Sequence, residues 1–149
     1  MHRAGRVIVA CCIAAVLSMT ACGPATPAVT FSSGAESLDV AAVQRFALDA
    51  DLSSAVSVEA SGSPALRERL LQSLRGHGAE GGRAADLLTA GFPPVTAALP
   101  IVVRVGPVEG KKAVSVVEAI PGDSGKLTRR RLWVFDYETG SVIRATAFR

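Results

Sequence analysis

The chain is short of aromatic side chains, histidine and cysteine, and each shortage narrows what it can do. One Trp, one Tyr and five Phe stand in 149 residues, while Ala, Val, Gly and Arg are abundant. That bias resembles a GC-rich bacterial genome and carries little functional content. The two histidines are His2 and His77. His77 lies among glycines, and a general base needs a rigid setting and an orienting partner. The three cysteines are Cys11, Cys12 and Cys22, and none lies beyond Cys22, so no disulfide framework is written into the rest. A Gly-x-Ser-x-Gly elbow is missing, and so is a Gly-Lys-Ser/Thr phosphate loop. Asp49, Asp51 and Glu59 fail the calcium-loop spacing, because Ser54 stands where glycine is required. No zinc ligand set is present. These shortages argue against an enzyme and imply neither metal nor cofactor.

Long apolar runs are also lacking, with one exception. Met1 to Arg6 carries two arginines and no acid, and Val7 to Leu17 is almost wholly apolar. That run is shorter than the roughly 20 residues a spanning helix needs, but it suits the h-region of a secretory signal. Met19-Thr20-Ala21-Cys22 closes it, and Gly23-Pro24-Ala25-Thr26-Pro27 follows. The stretch resembles a bacterial lipoprotein signal peptide, with Met19 where Leu is usual. The resemblance covers Met1 to about Gly23. It implies cleavage before Cys22, a diacylglyceryl thioether on that residue, acylation (palmitate or similar) of the new amino terminus, and attachment to the extracytoplasmic face of the cell membrane. An ordinary signal cut after Ala21 and an uncleaved anchor are the alternative readings. Two or three acyl chains hold a protein firmly on a bilayer, where one holds it marginally.

Three segments follow: residues 1–21 as signal peptide, 22–35 as a flexible Pro- and Ser-containing tether, and 36–149 as one domain. The chain that remains after loss of residues 1–21 is long enough for a core of ordinary size. Cleavage also removes Arg3 and Arg6, leaving 14 basic residues against 13 acidic. A net charge near neutrality argues against a nucleic-acid binder.

The domain reads as α+β. A helix is expected over Glu36 to Leu52, capped by Ser37 or Asp39, with Leu38, Ala42 and Phe46 on one stripe. Ser53 to Gly62 reads either as a short edge strand or as an irregular connection. A second helix opens at Ser63-Pro64 with Ser63 as its cap, presents Leu66, Leu70, Leu71 and Leu74, and turns Arg67, Glu68, Arg69 and Gln72 outward. Gly76 to Gly82 reads as a mobile connector, and Arg83 to Ala90 as a short helix ended by Gly91 and Pro93-Pro94. Strands are expected from Leu99 to Val105, Lys112 to Ile120, Lys126 to Tyr137 (the longest) and Ser141 to Phe148. Turns at Gly106–Gly110, Pro121–Gly125 and Glu138-Thr139-Gly140 make a four-stranded antiparallel meander. Helices can then cover one face of it, leaving the other to fold over itself, meet residues 55–60 or bind something.

This element order resembles the cystatin-like and nuclear-transport-factor-like cones, which implies a ligand pocket or an assembly module. The Asp136–Gly140 ending is similar to propeptide-type domains that inhibit peptidases, a second reading of the function. Lys126, Arg129, Arg130 and Arg131 form the one charge run. On a strand, Arg129 and Arg131 share a face with Trp133 and Phe135, a candidate patch for an anionic ligand or an envelope protein; a solvated strand end is the competing interpretation. A small apolar ligand between helices and sheet is the other binding expectation.

Overall fold

A computed structural model describes residues 26–148. The signal segment and Cys22 lie outside the described residues. The architecture is α+β: three helices and a five-stranded mixed sheet in the order β1-β2-β3-β4-β5. The strands are β1 (Thr30–Ser33), β2 (Leu99–Val108), β3 (Lys111–Ile120), β4 (Arg129–Asp136) and β5 (Val142–Phe148). β2 to β5 are antiparallel neighbours in chain order, but the expected four-stranded antiparallel sheet is corrected to a five-stranded mixed one. β1 adds a fifth strand, parallel to β2, with Phe31 opposite Val103. Part of the expected tether is therefore sheet.

Alternation along β3 explains the layering, since successive side chains take opposite faces. Val114 and Val116 pack with Leu71, Leu74, Leu87, Leu88 and Phe135. Ala113 and Val117 pack with Val43, Ala47, Leu132 and Val134. Helix α1 (Val40–Leu48) thus covers one face, and helices α2 (Ser63–Arg75) and α3 (Gly78–Gly91) cover the other. The expectation that helices reach only one face is corrected. α1 takes the second face through Val43 and Ala47, which pack with Ala113, Val117, Leu132 and Val134. A third cluster, with Leu52, Ala55, Leu66, Leu99 and Leu127, closes one end.

Several boundaries move for physical reasons. α1 starts at Val40, where the Asp39 carboxylate accepts from the Ala42 amide at 2.7 Å. Residues 53–62 form turns, an isolated bridge from Glu59 to Lys126 and a 3-10 turn at Ala60–Gly62. Ser63 is inside α2, and its hydroxyl donates back to the Ala60 carbonyl at 2.7 Å instead of capping the helix. The glycine-rich connector is helix: α3 begins at Gly78, and only Gly76 and His77 separate it from α2. Gly81 is required there, because a Cβ would fall 2.2 Å from the Leu74 carbonyl oxygen. β2 runs on to Val108, leaving Glu109-Gly110 with φ 50° and 78° as a two-residue hairpin turn of the primed kind. β4 has eight residues against ten in β2 and β3, so it is not the longest. Gly140 has φ 74°, as the expected left-handed turn position requires.

Candidate functional site

The densest polar cluster sits inside the protein, on the sheet face that α2 and α3 cover. Glu118 of β3 stands opposite Arg131 of β4. Its side chain is fully buried. Arg67 of α2 donates to Oε1 at 2.7 Å, Arg131 donates to Oε2 at 2.8 Å, and the Trp133 indole N–H donates to Oε2 at 2.9 Å. Arg67 is itself 4% exposed and also donates to the Ala98 carbonyl at 2.7 Å. A β-bulge between Pro100 and Val102 adjusts β2 beside this cluster, a common use of the device.

Phe92, the residue after α3, caps the assembly. The guanidinium carbons of Arg67 and Arg131 lie 5.4 and 5.6 Å from its ring centre, within cation–π range. Trp133 meets it edge-on at 5.0 Å. Two cations and one anion leave the cluster with one net positive charge. Its donors converge on a carboxylate of the same chain, so the geometry ties α2, β3 and β4 together and leaves Glu118 no free oxygen for chemistry.

The candidate patch is thereby divided. Arg131 and Trp133 join Glu118, and Arg131 remains 27% exposed at the cluster's edge. Phe135 is buried in the core and stacks on Trp133 at 6.0 Å. Arg129 stands apart, lining a separate cleft at the β3–β4 loop with Gly122, Asp123 and Thr128. Arg130 faces the other way and donates to the Ala47 and Leu48 carbonyls at the end of α1, where a cation opposes the helix's negative pole. His77 is exposed and stacks on Phe31 at 4.8 Å. Among the described residues no group of three His, Cys, Asp or Glu side chains could hold a metal ion, and no helix is long and apolar enough to cross a membrane.

Sequence reasoning missed Arg67, Glu118 and Phe92. The signals were present. Arg67 precedes Leu71 by four positions and Leu74 by seven, which places it inside the apolar stripe, not on the outward face expected for it. Glu118 is the one acid within the apolar run Val114–Ile120. An isolated charge at a core position needs a partner.

A second cleft, about 500 Å³, opens between Gly34, Gly106, Gly110 and Lys112. Lys112 pairs with Glu80 at 2.8 Å and lies 4.0 Å above the Tyr137 ring. The hydrogen bond to Glu80 raises the Lys112 pKa above the ordinary lysine value. Comparison with protein-family models, with curated proteins and with solved structures finds no match for the chain.

Proposed function

We propose that this protein is a lipid-anchored module on the extracytoplasmic face of a bacterial cell membrane, acting by binding and not by catalysis. The observation that carries the reading is the sequence Met19-Thr20-Ala21-Cys22 behind a positive start and an eleven-residue apolar run. A signal of that kind, followed by a Pro-rich linker, suits a domain held close to a bilayer. The polar chemistry of the domain supports binding over catalysis: its most buried carboxylate accepts from three internal side chains, whereas a general base needs reach to a substrate proton.

The intact mass of protein extracted from the membrane fraction tests the anchor. The expected mature chain begins at Cys22 and carries acyl mass, and the Cys22→Ala variant stays unprocessed. A chain cut elsewhere, or free of lipid, refutes the anchor.

A further inference from the structure

The geometry points to an oxyanion-binding site at the β3–β4 loop, formed by Arg129 and Thr128 and suited to a phosphate group. The loop is fixed from within and without. The Gly122 amide donates to the Lys126 carbonyl at 2.8 Å, and the Gly125 amide donates to the Gly122 carbonyl at 3.1 Å. Outside it, Ala60 donates to the Gly125 carbonyl at 2.9 Å, Leu127 donates to the Val58 carbonyl at 3.2 Å, and the Leu127 side chain is wholly buried. A cleft of about 430 Å³ opens on this rigid loop, lined by Gly122, Asp123, Thr128 and Arg129. Glycine at 122 leaves room for the Thr128 hydroxyl, since a Cβ there would lie 2.1 Å from its oxygen.

Within that cleft, Arg129 is the unusual group. Its Nε is buried and has no hydrogen-bond partner. Its guanidinium joins none of the ion pairs among the described residues. Its neighbours in the charge run differ: Arg130 is spent on the end of α1, and Arg131 on Glu118. Buried donors in folded proteins are nearly always paired, yet Arg129 has no partner among the described residues to hold its Nε, and the terminal N–H groups of a guanidinium that lines a cleft match two oxygens of one phosphate. Thr128 lines the same cleft and carries a hydroxyl able to donate. Asp123, exposed at the rim, opposes an anion and keeps the affinity modest.

The cleft beside Gly106 and Gly110 offers less. Lys112, which lines it, already holds Glu80. Arg104, which has one unpartnered nitrogen near that cleft, donates through its other to the Glu36 carbonyl at 2.6 Å. The phosphate site does not rest on the anchor, since acylation of Cys22 and occupancy of the cleft are measured separately.

The full chain in nonionic detergent is titrated calorimetrically with inorganic phosphate, then with short-chain phosphatidylglycerol and phosphatidylcholine. Saturable one-to-one binding of phosphate, or of the lipids alone, supports the site, and the pattern tells a free anion from a lipid headgroup. Arg129→Gln should weaken binding at least about tenfold, as loss of a charge-assisted pair does. Asp123→Asn should tighten it roughly threefold by removing a nearby like charge. Circular dichroism confirms the fold of each variant; if Arg129→Gln does not fold, Thr128→Val and Asp123→Asn carry the test. Absence of saturable binding to every probe overturns the proposal, as does binding that none of these variants changes.

Discussion

Arg129 and Arg131 stand two positions apart on the same face of the same strand, and their surroundings give them opposite roles. Arg131 meets Glu118 across the strand pair, lies 4.8 Å above the Trp133 ring and is shielded by Phe92. Arg129 stands opposite Ile120, at the edge of a loop cleft, with a buried donor left unpartnered. One guanidinium holds the fold together; the other is available. An arginine's role is therefore set by what the neighbouring strand places opposite it. Two residues along β3, from Glu118 to Ile120, separate structure from candidate function.

The largest effect should come from the structural end. Glu118→Gln leaves the buried Arg67 guanidinium facing a neutral amide, and breaking a buried pair in this way costs about 3–5 kcal/mol. Urea denaturation should show that loss. Glu118→Leu combined with Arg67→Met should cost less than Glu118→Gln alone, because it removes the buried cation along with its partner and Arg131 can turn to water. A double variant as damaged as the sum of its parts would show that the cluster is not coupled.

Gly81→Ala attacks the same end at a distance. α2 carries Arg67, and α3 ends at Phe92, so the packing of the two helices positions both. A methyl group 2.2 Å from the Leu74 carbonyl oxygen must push the helices apart. Overpacking of this kind costs about 1–3 kcal/mol. Indole fluorescence should also change as Phe92 moves off Trp133, while phosphate binding at Arg129 stays as it was. Loss of both together would mean that the two arginine environments are one unit.

How much of this was legible in the sequence varies with the range of the interaction. Local rules offered Asp39 beside Ser37 as a cap and placed the Leu66–Leu70–Leu74 stripe, the Gly140 turn and the antiparallel pairing of consecutive strands within the sheet, because each rests on neighbours close in the chain. β1 was missed because Thr-Phe-Ser-Ser carries almost no strand pattern and pairs with the distant β2, Thr30 opposite Val102. The glycine-rich helix start was missed because Gly81 is needed for an approach to Leu74 that only the folded pair shows. The Arg67–Glu118 contact spans 51 residues. Strand alternation put Arg129 and Arg131 on one face correctly, but the register that gives Arg131 an acid and Arg129 an isoleucine belongs to the folded sheet.

A smaller effect separates Glu118 from a carboxylate held at the surface. Asp136 accepts from the Thr139 and Glu138 amides at 2.8 and 3.0 Å, and the hydrogen bonds to Thr139 chiefly hold its pKa below the ordinary aspartate value. A carboxyl whose pKa is lowered by folding stabilises the fold above its ordinary value of about 3.9 and loses that contribution as the pH falls through the lowered one. Asp136→Asn should therefore be slightly less stable than the parent at pH 7, with the difference in urea midpoint closing below about pH 4. A constant difference across that range would assign the loss to the turn's geometry and not to its charge.

The smallest expected change is at Arg129, and its smallness is the point. A residue that holds the fold shows its worth in unfolding; a residue kept for a ligand does not. Arg129→Gln removes no ion pair and leaves the loop's backbone bonds in place, so the unfolding free energy without phosphate should stay within about 0.5 kcal/mol of the parent, as for substitutions that break no hydrogen bond or ion pair. Relief of the unpaired buried donor works against any loss. With phosphate at saturating concentration the parent should gain stability by mass action and the variant should not. A loss in the anion-free protein comparable to that of Glu118→Gln would place Arg129 among the structural arginines and dissolve the distinction between the two.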